Sequence, residues 1–181
     1  MAVKTFTTGE VLTASDTNTY LNNGGLVYIT GATISAAATY TFSNVFSSTY
    51  DNYRVVINSG TTSVAGVNYN IRLGTTATGY YGSRYYDLYT GGATGTIRYN
   101  NANEFTIANA INANDEAAGG FDMMNPNTAK RTSWYGQWYG NGYSGWFGGT
   151  LANTTQYTDL QFLASSGTMS AIIRIYGYRQ A

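Results

Sequence analysis

Ser170-Ala-Ile-Ile-Arg-Ile-Tyr-Gly-Tyr178 alternates strictly: Ile173 and Ile175 point one way, and Ile172, Arg174, Tyr176 and Tyr178 the other. Period two, in a run rich in β-branched and aromatic residues, reads as a strand buried on one face. Asp159-Leu-Gln-Phe-Leu-Ala164 precedes it, and Ser165-Ser-Gly-Thr168 between them supplies turn chemistry. The two are therefore expected to form a hairpin. Only three residues follow Tyr178, so this strand is expected to close a sheet built by earlier ones.

Those earlier partners are legible from Leu26 onward. Leu26-Val-Tyr-Ile29 and Thr39-Tyr-Thr-Phe42 are short apolar runs flanked by Gly, Ser and Asn. In Tyr53-Arg-Val-Val-Ile-Asn58, Tyr53, Val55 and Ile57 share a face. Val67-Asn-Tyr-Asn-Ile-Arg-Leu73 is the cleanest alternation, setting Val67, Tyr69, Ile71 and Leu73 inward and Asn68, Asn70 and Arg72 outward. Further strands are expected at 84–89, 104–108, 120–124, 132–139 and 143–147. With turn signals roughly every 8–15 residues, the reading is an all-β chain folded as an antiparallel two-sheet sandwich, jelly-roll-like.

Composition bounds the chemistry. A chain of 181 residues is most simply one domain, and can bury roughly 70% of the surface that its unfolded form exposes. It has no cysteine and no histidine, which excludes disulfides, Cys/His zinc sites, thiol nucleophiles and His-dependent triads. Nine basic and nine acidic side chains cancel, and charged residues make up only 10%. A nucleic-acid stripe is thereby excluded. No stretch reaches the roughly 18 apolar residues of a membrane span, and the start lacks a signal peptide's basic end and apolar run, so the expectation is a soluble chain made in a cytoplasm. What remains is a neutral surface rich in Gly, Tyr, Thr, Asn and Ser. It fits two classes, sheet proteins of large symmetric assemblies and binders of neutral glycans, and composition does not separate them.

The first 25 residues differ. Thr13-Ala-Ser-Asp16 is a capping-box-like start, and Ala14 to Leu21 would form about two turns of helix, stopped by Asn22-Asn-Gly-Gly25. Two turns do not stand alone in water. The helix must therefore dock, on its own domain or on a neighbour; residues 1–25 are read as a docking arm, with Phe6, Val11, Leu12, Asp16, Tyr20 and Leu21 as its expected contacts, and residues 26–181 as the β-sandwich domain.

Thr5-Phe-Thr-Thr-Gly-Glu-Val-Leu-Thr-Ala-Ser-Asp-Thr-Asn-Thr-Tyr-Leu21 resembles an N-terminal segment that recurs in bacteriophage virion proteins: an aromatic, then Gly-(Asp/Glu)-Val-Leu-Thr-Ala, then a polar helix. Ser48-Thr-Tyr-Asp-Asn-Tyr-Arg-Val-Val-Ile57 resembles the same group's Tyr-x-Asn-Tyr and following strand, and Gly167-Thr-Met-Ser-Ala-Ile-Ile-Arg-Ile-Tyr-Gly177 its closing strand. The middle of the chain carries no resemblance. The group contains tail-fibre-like, minor tail and capsid-decorating proteins. The resemblance implies a non-enzymatic virion structural protein, assembled in the host cytoplasm, that docks on other virion proteins by its arm. It also implies a homotrimer.

Four stretches could carry chemistry. Trp134-Tyr-Gly-Gln-Trp-Tyr-Gly-Asn-Gly-Tyr-Ser-Gly-Trp-Phe-Gly-Gly149 holds all three tryptophans. As a hairpin it puts Trp134 and Trp138 on one face and Tyr135, Gln137 and Tyr139 on the other. Flat aromatic faces beside amides suit a sugar ring, so Trp134, Tyr135, Trp138, Tyr139, Tyr143 and Trp146 are candidates for a host polysaccharide site. The plainer reading, preferred here, is one face in the core and the other on a neighbouring subunit. Tyr80-Tyr-Gly-Ser-Arg-Tyr-Tyr-Asp-Leu-Tyr89 is either a paratope-like surface or a loop and edge strand covering the sandwich end.

Asn112-Ala-Asn-Asp-Glu116, with Asp122, gathers carboxylates as calcium would need, but lacks the order of an EF-hand loop, so no metal or cofactor is expected. For a glycosidase pair one would pick Asp87, Glu104, Asp115, Glu116 or Asp122, and nothing in the sequence sets two of them across a cleft. Met123-Met-Asn-Pro-Asn-Thr-Ala-Lys-Arg131 reads as a turn.

Overall fold

The structure, a computed structural model, describes residues 7–11, 13, 15, 25–92, 94–110 and 116–179. Among these are twelve strands: β1 (Leu26–Ala37), β2 (Thr39–Phe42), β3 (Asn52–Thr62), β4 (Val67–Leu73), β5 (Tyr80–Leu88), β6 (Thr94–Ala102), β7 (Phe105–Ala110), β8 (Ala117–Met124), β9 (Ser133–Gly140), β10 (Tyr143–Leu151), β11 (Leu160–Ala164) and β12 (Met169–Tyr178). They form an eight-stranded sheet, β1-β12-β3-β8-β9-β10-β5-β6, facing a four-stranded one, β2-β11-β4-β7. Every neighbouring pair is antiparallel. The chain is an all-β two-sheet sandwich.

The expected hairpin of β11 with β12 does not form. β11 lies between β2 and β4 in the small sheet, and β12 between β1 and β3 in the large one. Both strands alternate, so Leu160 and Phe162 of one and Ile173 and Ile175 of the other are fully buried, but from opposite layers. A Ser-Ser-Gly-Thr linker turns a corner between sheets as readily as it closes a hairpin. This corner is braced against the β3–β4 corner: Ser63 N donates to Thr168 O at 2.9 Å and Thr168 N to Ser63 Oγ at 2.9 Å. Gly167, at φ +61°, has the Ser63 hydroxyl where a Cβ would sit.

Most connections change sheet in this way. Only β5–β6, β8–β9 and β9–β10 are consecutive neighbours in one sheet. The β9–β10 turn is Asn141-Gly142, at φ +56° and +72°, as a two-residue type I′ hairpin requires.

The core lies between the layers. Tyr53, Val55 and Ile57 are buried from the large sheet, and Val67, Tyr69, Ile71 and Leu73 from the small one, as the alternation predicts. A fully buried Ile, Leu or Phe contributes about 1.5–3 kcal/mol, and Ile71, Leu73, Phe105 and Phe162 are all of this kind. The buried tyrosines do more, because each hydroxyl satisfies backbone. Tyr69 Oη lies 2.7 Å from Thr61 O and 2.8 Å from Ser170 O, tying both corners to the core. Tyr80 Oη accepts from Leu73 N at 2.8 Å and donates to Thr76 O at 3.1 Å. Asn70, expected outward, is buried, because Thr106 Oγ1 donates to its Oδ1 at 2.7 Å and its Nδ2 donates to Glu104.

Eight strands against four leave part of the large sheet's inner face uncovered. β7, the last strand of the small sheet, packs over β8, β9 and β5, and the inner face of β5 and β6 continues past it. β6 escaped the sequence reading because Thr94–Ala102 is polar and mostly exposed, with no buried face to make an alternation.

Of the arm, Phe6, Leu12, Asp16, Tyr20 and Leu21 lie outside the described residues, as does the helix expected over 14–21 apart from Ser15. No helical arm is seen among the described residues. Val11 is 79% exposed, and Thr7 to Glu10 form a turn closed by Glu10 N donating to Thr7 O at 3.0 Å.

Candidate functional site

The outer face of the large sheet carries one continuous row of paired residues. Tyr28 of β1 is opposite Tyr176, Tyr176 opposite Arg54, Arg54 opposite Asp122, Asp122 opposite Tyr135, and Tyr135 opposite Gly148. Arg54 Nη1 meets Asp122 Oδ2 at 3.1 Å, and Tyr178 Oη donates to the other Asp122 oxygen at 2.5 Å. Burial first, then the bond to Asp122, pushes the Tyr178 phenol up to about 12. The charges here hold one another and leave the aromatic rings as the accessible chemistry.

Beside this row lies a groove of about 760 Å³. Its floor is Ala118, Gly119 and Gly120 of β8 with Gly136 of β9; Arg54 stands on one side and Tyr135, Gln137, Tyr139 and Trp146 on the other. The floor is low because of its glycines. A Cβ on Gly120 would meet Val55 O at 2.9 Å and the Arg54 guanidinium at 3.2 Å. The outward columns of β3 and β9 are two strand spacings apart, about 10 Å, which admits an extended ligand one ring wide.

Trp146 is 60% exposed and stacks on Tyr85, with ring centroids 4.1 Å apart and planes 18° off parallel. Tyr135 and Tyr139 are also exposed, as is Gln137. On the far side of Trp146 a smaller hollow of about 350 Å³ reaches Asp87 and Ser144. Together these groups offer flat apolar faces next to amide, hydroxyl and carboxylate groups. That combination binds ring ligands with polar rims, or the surface of another subunit.

The six aromatic residues singled out in the sequence are divided by the fold. Tyr135, Tyr139 and Trp146 share the outer face. Trp134 and Trp138 are buried on the inner face and belong to the core, as the alternation within β9 demands. Tyr143 also faces inward, where it meets Tyr86 edge-on at 5.6 Å. Arg54 and Tyr85 were not foreseen as parts of a site; each is outward in its strand, but which strands lie side by side is not written locally. The tyrosine run is neither a loop nor an edge, since β5 lies between β10 and β6: Tyr80 is core, Tyr85 outward, Tyr86 inward, and Tyr89 exposed beyond the strand.

Of the loop once considered for calcium, residues 112–115 lie outside the described residues; Glu116 is exposed and Asp122 is engaged by Arg54. Among the described residues no three acidic side chains gather. Glu104 is held by Arg72 at 2.9 Å.

A second feature sits on the inner face, where the cover that β7 gives to β5 ends. Arg84 of β5 is only 4% exposed, and its Nε and Nη1 find no hydrogen-bond partner among the described residues. Its guanidinium carbon lies 4.8 Å over the Trp138 ring. Burial pushes its pKa down from the ordinary value, while Tyr99 and Tyr86 push the other way. It lines a pocket of about 270 Å³ with Tyr86, Ile97, Asn109, Asn141 and Tyr143. Compared with known proteins, the chain matches no family model, no curated protein and no solved structure.

Proposed function

We propose that this chain is a non-enzymatic structural protein of a bacteriophage particle, a capsid-decorating protein or a tail-fibre or minor tail component. Residues 1–25 dock on other virion proteins, and the β domain, a jelly-roll-like sandwich, self-associates as a homotrimer. The observation that carries the assembly reading is the edge strand β6. It is bonded only to β5, its nine residues contain no proline or lysine, and Arg98 is its one charge. Natural proteins guard long edges with lysine, proline or cover, so an edge this open fits a strand that is covered in the particle. The low overall charge fits permanent burial as well. The two resembling segments from the body of the chain also form one unit, because the Tyr50 ring lies over Gly177.

Solution mass by light scattering tests this, on the full chain, on a version beginning at Gly25, and on the edge variant Thr96→Lys/Asn100→Lys. The expected result is a trimer in the first two and a monomer in the third. A monomer in all three overturns self-association through the β domain.

A second reading is favoured by the 60% exposure of Trp146 beside the groove: recognition of a neutral host polysaccharide on the outer face. Quenching of Trp146 that falls on adding host polysaccharide supports it, and quenching indifferent to the sugar ends it.

A further inference from the structure

We propose that the Arg84 pocket, on the inner face beside β7, is a binding site for the carboxylate of an acidic sugar residue. It lies on the opposite side of the large sheet from the Trp146 groove and depends neither on that groove nor on the oligomeric state.

A guanidinium cannot shed its charge at any physiological pH, and burying one without an acceptor is costly. Among the described residues, Arg84 nevertheless has buried Nε and Nη1 without a partner, and no carboxylate pairs with it. The stacked Trp138 ring offsets part of that cost and fixes the plane of the guanidinium. The fold thus holds a cation in place at the wall of a pocket that reaches the surface. Charged groups left unpaired in such a cleft are where anionic ligands bind.

The walls define the ligand further. A bare anion would need the guanidinium alone. This pocket adds the Tyr86 and Tyr143 rings and the Ile97 side chain, apolar faces suited to the C–H side of a sugar ring. Asn141 Nδ2 donates to Asn109 Oδ1 at 2.7 Å and Asn109 Nδ2 to Asn68 Oδ1 at 3.0 Å, so the amide chain is oriented and Asn141 Oδ1 remains as an acceptor for a hydroxyl. A volume of about 270 Å³ lies just below the range of most ligand pockets, roughly 300–1,000 Å³, and suits one ring rather than a chain. A uronic acid meets all three requirements: carboxylate, hydroxyls and an apolar ring face.

The test is a titration of the full chain with sodium glucuronate, glucose and inorganic phosphate. It is read by the Arg84 Nε–H resonance and by tryptophan emission, since Trp138 lies against the guanidinium. Glucuronate is expected to shift both signals and to bind at least about tenfold more tightly than glucose or phosphate. Arg84→Met is expected to abolish the response. Asn141→Asp keeps a residue that tolerates the turn's positive φ and places a carboxylate in the pocket, so it too is expected to lose glucuronate binding. Equal binding of glucose and glucuronate overturns the proposal, as does phosphate matching glucuronate. No response to glucuronate, or a response retained in both variants, overturns it equally.

Discussion

Arg84 and Trp138 stack on the inner face of the large sheet, guanidinium carbon 4.8 Å from the ring centroid, and the same indole donates from Nε1 to Tyr85 O at 3.4 Å. That indole reaches the carbonyl because the strand opposite it carries Gly145, whose missing Cβ would lie 2.9 Å from Trp138 Nε1. One ring therefore touches both Arg84 on the inner face and the backbone of Tyr85, whose own ring stacks on Trp146 on the outside.

The stack predicts an unusual stability effect. Replacing a buried charge with an apolar side chain of similar length removes a desolvation cost of several kcal/mol, while the lost cation–π contact is worth about 1–2 kcal/mol. Arg84→Met is expected to be neutral or stabilising, by up to about 2 kcal/mol, in urea denaturation. A loss of more than about 1 kcal/mol would mean that the guanidinium has an acceptor within the fold.

Tyr178 predicts a pH dependence. Its phenol, ordinarily near 10, is raised to about 12 by burial and by its bond to Asp122. The protonated form is therefore favoured in the folded state. Its contribution is complete below about pH 10 and is lost as pH rises from 10 through 12, where the unfolded chain has released a proton that the folded one retains. Urea midpoints at pH 9 and pH 11.5 should fall more for the parent protein than for Tyr178→Phe. Equal falls would show that this phenol ionises alike in both states.

Much of this arrangement was legible in the chain. β2 and β4 were read to the residue, and the inward faces of β3, β4, β9 and β12 follow from alternation alone. Arg84 could have been found by the same means: it shares a face with Tyr80 and Tyr86, four and two steps along one strand. Partnership between strands was not legible. Ser165-Ser-Gly-Thr168 is compatible with a hairpin and with a corner, and the choice rests on contacts with Ser63 a hundred residues away. The outer groove has the same origin, since Arg54, Gly120, Tyr135 and Trp146 come from four strands aligned only by sheet order.

Trp146 predicts a clean spectroscopic signature. Trp134 and Trp138 are 1% and 4% exposed, whereas Trp146 is 60% exposed. Acrylamide quenching of the native protein should come almost wholly from Trp146. In Trp146→Ala the remaining emission should be blue-shifted and nearly unquenchable, with stability changed by no more than about 1 kcal/mol, the scale of one aromatic stack. Strong quenching retained in the variant would place another indole at the surface.

Gly177 and Tyr50 predict a coupling. A Cβ on Gly177 would fall 2.5–2.7 Å from Cγ, Cδ1 and Cδ2 of the Tyr50 ring. Tyr50 in turn packs edge-on against Tyr53, with centroids 6.0 Å apart, so it has little freedom to yield. Gly177→Ala is expected to cost about 1–3 kcal/mol through overpacking. Tyr50→Ala should cost a similar amount through lost contact, because the ring covers the end of β12. In the double variant the added methyl meets no ring, so the two costs should fall short of their sum by at least about 1 kcal/mol. Strict additivity would mean that the ring and the glycine do not touch. The two segments would then be separate features of the chain rather than the single packing unit in which Tyr50 closes over the end of the last strand.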